Sequence, residues 1–242
     1  MDVHKPKPVH SFREFLSEIA VVVVGIAIAL AGEQFIEHLH NSRKASEARE
    51  GIRDEIAINL AVLGTRREIQ RCVDQRIDEV AHLIDASADP GYVAPTWLGR
   101  PQNWEMLHAR WQVVSQAGQA PLLAPDEQAG YGFIYAVLAD VAADEDREQG
   151  DWARLRVLEG LARPSAEMRD TLRLALQDVR YANWDIKGLS ELWESKATEM
   201  ALAKRPAGRV QTSSGICFAT DTPRAEALKR LSTDAHYPVE QP

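Results

Sequence analysis

An unbroken apolar run of 14 residues, Ile19 to Gly32, constrains this chain more than any other feature. Extended to Phe15 and Ile36 it covers 22 positions, interrupted only by Ser17, Glu18, Glu33 and Gln34. A helix needs roughly 20 mostly apolar residues to cross the hydrocarbon core of a bilayer. Glu18 and Glu33 stand near the two ends of this run, at headgroup depth, where a carboxylate is tolerated and a short helix spans at modest mismatch cost. Ser11 followed by Glu14 has capping-box spacing and places the helix start at Phe12.

Two other readings fit parts of the same segment. As a secretion signal, Lys5, Lys7 and Arg13 form the basic end, Ile19 to about Leu30 the apolar stretch, and "ALAG" a small-x-small cleavage site after Ala31. Glu14 and Glu18 dilute that basic end, and no helix breaker lies just before the site. As a core helix of a soluble protein, the run has a suitable length. Its apolarity on every face goes beyond what a half-buried helix needs.

Charge excludes one class of partner. The chain has 242 residues and a net charge of −8. Residues 1 to 32 sum to zero, so the whole deficit lies beyond Gly32. An acidic body without a Lys/Arg cluster repels phosphate backbones, so no nucleic-acid partner is expected. With 45% hydrophobic residues, a sizeable core is available. The two cysteines, Cys72 and Cys217, exclude a disulfide-dense scaffold and a CxxC zinc site. In an oxidising compartment they can pair across about 145 residues, worth a few kcal/mol in the chain-entropy model. Otherwise they are two buried thiols acting as small hydrophobes.

Beyond the apolar run the periodicity is helical. No proline occurs between Phe12 and Ala88. Ile52, Ile56, Leu60 and Leu63 recur at spacings of three and four, and Ile69, Val73, Ile77, Val80 and Ile84 continue the stripe. A helix continuous with the anchor would approach ~115 Å; a bend near "HNS" at 40–42 is the alternative. Asp89-Pro90-Gly91 ends it. A Pro/Gly-rich connection leads to a short helix in which Trp104, Leu107, His108 and Trp111 share a face. Pro125 suits a first helical turn, and Ser165 a helix N-cap. Met168, Leu172, Leu176, Val179, Asn183, Ile186 and Trp193 keep one face of a long helix that Pro206 and Gly208 stop. Thr222 caps a last short helix.

The expected organisation is a tail at 1–11, an anchor helix at 12–38 and a helical domain at 43–242. Within that domain the helices are expected at about 43–87, 104–117, 125–161, 165–203 and 223–232. The fold class is all-α: an antiparallel bundle of about four main helices behind the N-terminal helix.

No constellation of reactive groups rises to a motif. Serine-nucleophile signatures, P-loops, GxGxxG and HExxH are absent. His108, Asp178 and Glu191 have no spacing that unites them. Glu37, His38 and His40 are metal-ligand types, but His38 and His40 point about 200° apart on a helix. "ADEDREQG" has the acidic letters of a calcium loop in Asp144, Asp146 and Glu148. Its glycine comes one position late and the closing glutamate is missing, so it reads as a solvated acidic helix end. Trp104, His108 and Trp111 are candidates for an aromatic pocket, and more readily for a core face with a satisfied histidine. Gly25, Ala29 and Gly32 form a small-residue face suited to close packing against another membrane helix. No catalytic residue, cofactor or metal is expected.

The motif carried by Glu18, Gly25, Ile26, Ile28, Ala29 and Leu30, followed by the charge-rich "EQFIEHLHNSRKASEARE", resembles a family of uncharacterised bacterial proteins. They have one N-terminal transmembrane segment with a Glu-apolar-Gly-Ile-x-Ile-Ala-Leu signature and a helical domain behind it. "WLGRPQNW" and "ICFATDTPRAEAL" are similar to stretches of related proteobacterial proteins. Glu33-Gln34-Phe35 stands where the family usually has Asn-Trp. The resemblance implies an uncleaved anchor and no known activity.

Three basic residues precede the apolar run and four follow closely, so charge does not orient it. A short tail before a lone anchor most often stays in the cytoplasm, which puts the body in the periplasm of a bacterial inner membrane. The expected partners are the lipid bilayer and a homo- or hetero-oligomer formed through the membrane helix. The expected role is binding or scaffolding in the envelope. The alternatives are a membrane-proximal enzyme acting on lipid or cell-wall material, and a secreted helical protein if 1–31 is removed.

Overall fold

The computed structural model describes residues 12–103, 105–202 and 215–234. Ser11, Trp104, Pro206 and Gly208 lie outside these residues, and with them the expected N-terminal cap; the long helix expected to reach 203 ends at Glu199, before either expected stop residue. The described chain is all-α, with helices α1 (Phe12–Glu68), α2 (Gln70–Ala86), α3 (Ala109–Gln116), α4 (Pro125–Leu155), α5 (Ala166–Glu199) and α6 (Arg224–Asp234).

Helix α1 is 57 residues long, about 85 Å at 1.5 Å per residue. It continues through His40-Asn41-Ser42 as one unbroken helix. The interruption comes later, at Ile69, whose φ of −92° and ψ of −2° depart from ideal helix. Thr65 Oγ1 donates to the Ala61 carbonyl at 3.2 Å, a back-bond that bends helices. A single helix over 43–87 is therefore two helices in one nearly continuous rod.

Three long rods make the body: α1 with α2, α4, and α5. Trp193 Nε1 donates to the Ile134 carbonyl at 3.0 Å, and Arg154 stands 4.0 Å from Asp178. These two contacts set α4 and α5 antiparallel. Ser165 caps α5 by accepting from the Met168 N–H at 3.1 Å. Pro125 is the first residue of α4, and the Glu127 side chain accepts from the Ala124 N–H at 3.1 Å. Helix α4 ends at Leu155 and passes into a 3₁₀ turn over Arg156–Leu158.

The core has two parts. Nearer the apolar end, Ile52, Ile56 and Leu63 of α1 meet Tyr131, Ile134 and Leu138 of α4 and Ile186 and Trp193 of α5. Farther away, Val73, Val80 and Ile84 of α2 meet Trp152 and Leu155 of α4 and Leu172, Leu176 and Val179 of α5. Each apolar stripe read from the sequence thus finds its partner. Burying large side chains such as Trp152 and Trp193, both 0% exposed, contributes roughly 3 kcal/mol each by area.

The short helix α3 begins at Ala109, because α1 binds both backbone groups of Leu107 just ahead of it. The Asn59 side chain donates to the Leu107 carbonyl at 2.6 Å and accepts from the Leu107 N–H at 2.9 Å. Glu55 then accepts from the Arg110 N–H at 3.1 Å and supplies the start of α3.

The far end of the bundle is closed by a clasp. A disulfide joins Cys72 of α2 to Cys217, with Cα atoms 5.0 Å apart. One helical turn on, buried Arg76 donates to the carbonyls of Trp97 at 3.2 Å, Leu98 at 2.5 Å and Phe218. Trp97 Nε1 donates to the Gly215 carbonyl at 2.7 Å. Gly99 adopts φ of +67°, and a Cβ there would collide with the Gly215 carbonyl, so only glycine fits. Burial works against an ionised Glu159, but bonds from Arg156 and the Leu98 N–H and the Arg224 charge hold its carboxyl below the ordinary range.

Candidate functional site: the exposed helix and a buried ionic layer

The apolar part of α1 stands clear of the body. Residues 15–40 are exposed throughout, including Val21 at 71% and Ile28 at 68%. Soluble surfaces rarely leave so large an apolar patch uncovered. The segment is long and apolar enough to cross a membrane, and its position near the N-terminus suits a membrane span or a signal sequence alike. A Cβ added at Gly25 or Gly32 would meet no atom within 4 Å, and Ala29 between them is exposed. Glu37, His38 and His40 are exposed on the same rod. Among the described residues no group of three His, Cys, Asp or Glu side chains is placed to hold a metal ion.

Of the aromatic candidates, Trp104 lies outside the described residues, and His108 and Trp111 stand in different surroundings. His108 is the exposed N-cap residue of α3, with φ of −140° and its ring Nδ1 3.2 Å from the Met106 carbonyl. Trp111 is half-buried and packs on Tyr131, ring centroids 6.1 Å apart. His108 and Asp178 belong to different regions, beside α1 and in the α4–α5 cleft.

The stretch read as a solvated acidic helix end is not an end and is solvated only in part, with Asp146, Arg147 and Gly150 exposed. It lies inside α4, where Asp144, Glu145, Glu148 and Asp151 are buried. With Arg66 they form an ionic layer between the two parts of the core. Arg66, at the last turn of α1, is 5% exposed and donates through Nη2 to Glu148 Oε1 at 2.7 Å and to Asn183 Oδ1 at 3.1 Å. Gln70 Nε2 donates to the same Asn183 oxygen at 2.8 Å, and Asn183 Nδ2 donates to Asp74 Oδ1 at 2.9 Å. Helices α1, α2, α4 and α5 are thereby tied at one level.

Two carboxyls share one guanidinium in this layer. Desolvation raises Glu148, against the pull of Arg66. Glu145, one turn earlier, is pushed up to about 7 by burial, with the Glu148 and Asp146 charges adding and Arg66 opposing. The signal for this layer was present as polar residues in phase with the apolar stripes. Arg66 follows Leu63 by three, and Glu145 and Glu148 follow Val141 by four and seven.

Outside the layer, α4 and α5 border an open cleft of about 350 Å³ lined by Arg147, Asp151, Arg154, Asp178 and Tyr181. Its cations are already engaged: Arg147 pairs with Asp144, and Arg154 with Asp151 at 2.7 Å. No nucleophile–base pair lines it.

The chain matches no protein-family profile, no curated protein and no solved structure.

Proposed function

We propose that this chain is a single-pass inner-membrane protein whose helical body lies in the periplasm and acts by binding or scaffolding. The observation that carries the reading is the rod α1. Its apolar part is wholly exposed, and its continuation is a core element of the body. On this reading the rod would hold the body close to the bilayer surface, since one continuous helix joins the two. The Cys72–Cys217 disulfide supports the periplasmic side, since such bonds persist in oxidising compartments. The arginines of the α4–α5 cleft are engaged in ion pairs with Asp144 and Asp151, which supports a structural use of that cleft. Membership of the resembling family, through Glu18, Gly25, Ile26, Ile28, Ala29 and Leu30, belongs to the same proposal. So does the use of the Gly25, Ala29 and Gly32 face to pack another membrane helix, for which the open space at both glycines speaks.

The test is alkaline carbonate extraction of cell membranes together with intact-mass analysis. Retention in the membrane pellet at the full-length mass is the expected result. A released protein, or one whose mass begins at Gly32, overturns the anchor. Thiol labelling in intact cells tests the compartment: Cys72 and Cys217 must resist labelling until reduced.

A further inference from the structure

Helix α5 turns one face away from the bundle, and that face is not polar. Leu174, Tyr181 and Trp184 are 69%, 56% and 68% exposed. Tyr181 and Trp184 lean on each other with ring centroids 6.1 Å apart, and Gly188 has open space above it. Leu174, Tyr181 and Gly188 are seven apart, and Gln177 and Trp184 each follow by three. These are the a and d positions of a heptad seam.

The flanks of the seam carry opposite charge. The g positions are Arg173, Arg180 and Lys187, all exposed. The e positions are Asp178, exposed, and Asp185, half-buried. Two such helices running in the same direction bring each g position against the e position five residues on in the other. Arg173 then meets Asp178, and Arg180 meets Asp185, on both sides of the seam. Running in opposite directions, they bring arginine against arginine and aspartate against aspartate.

We propose that the outer face of α5 docks a second copy of this chain in parallel, with a two-fold axis along the bundle. A parallel pair also points both copies of α1 the same way, which two copies in one bilayer require. Glu191, at the following d position, would face its own copy and ends the seam. About 16 residues, or ~24 Å of helix, then carry the contact. So short a seam is weak between freely diffusing molecules. Confinement to one membrane raises the effective concentration, and this part rests on the anchor reading. Arg173 also holds Asp85 and Asp170, each at 2.9 Å, and Asp178 stands 4.0 Å from Arg154, so Arg180 with Asp185, which also shares a hydrogen bond with Asp144, is the discriminating pair.

The test is oxidative cross-linking of full-length protein carrying Leu174→Cys, in isolated membranes and again after mild detergent extraction. Val157→Cys, exposed but off the stripe, is the control. The expected result is a covalent dimer at Leu174→Cys several-fold above the control. Adding Arg180→Asp lowers the yield several-fold, and Asp185→Arg on top restores it. A Leu174→Cys yield no higher than the control overturns the pairing. So does preferential cross-linking of Leu174→Cys to Glu191→Cys in mixed expression, which marks an antiparallel pair, or a charge exchange that restores nothing. The two readings fail separately: protein that carbonate releases but that still cross-links keeps the pairing and loses the anchor, and protein retained without cross-links does the reverse.

Discussion

Acidification should stabilise this body, opposite to the usual behaviour of ionised carboxylates. The perturbation is pH across 8 to 5.5, and the group is Glu145, raised from 4.5 to about 7 in the folded state. A carboxyl that binds its proton more tightly when folded contributes stability fully below its unfolded value, and loses it as pH rises through the folded one. Between pH 8 and 5.5 that linkage amounts to about 2 kcal/mol gained. For a body of this size it raises the melting temperature by roughly 4–8 °C. Glu148, Asp144 and Asp151 are raised as well and act in the same direction. Glu127 and Glu159 are held below the ordinary range, so their contribution is constant in this window and falls away only at lower pH. The assay is urea unfolding of the oxidised full-length protein in detergent, followed by tryptophan fluorescence, since Trp152 and Trp193 are fully buried. Glu145→Gln replaces the carboxyl with a neutral amide and should flatten the profile by about the same 2 kcal/mol. An unchanged slope in that variant, or wild-type stability that rises with pH over this window, refutes the reasoning.

The clasp yields two further expectations. Gly99→Ala should lower the melting temperature more than Gly160→Ala; both glycines have positive φ, at 67° and 74°, but only Gly99 also faces a carbonyl at close range. The left-handed backbone alone costs about 1–2 kcal/mol, so a difference between the variants in thermal scans reports the close approach. Cys72→Ser should cost roughly 3–5 kcal/mol of unfolding free energy, and dithiothreitol should then destabilise the wild type while leaving the variant unchanged.

The helices themselves were legible because their signals are local. The Ile52–Leu63 stripe, Pro125 at a first turn and the Ser165 cap each act within a few residues, and the structure uses each in that way. What was not legible depends on partners distant in sequence. Asn59 holds Leu107 from 48 residues away, so residues 105–108, whose spacing to Trp111 looks helical, lie outside α3. The break at Ile69 has no proline or glycine behind it and falls beside the ionic layer that Arg66 anchors. The acidic letters of Asp144, Glu145 and Glu148 suggest solvent when read alone. Only their phase with Ile134, Leu138 and Val141 places them inside, and even that phase cannot name Arg66 as the counter-ion. The exposed face of α5 was hidden for a related reason: its heptad overlaps the stronger apolar stripe that builds the core.

The unbroken passage of α1 from exposed to buried surroundings has a rotational consequence. Every residue between the apolar run and Ala45, the first buried apolar position, contributes a fixed turn of about 100°. The azimuth of Gly25, Ala29 and Gly32 is therefore geared to that of every face on the body. One residue inserted near Asn41 would swing the body by about 100° while lifting it only ~1.5 Å. Four residues would nearly restore the original bearing. The rod sets direction as firmly as it sets height.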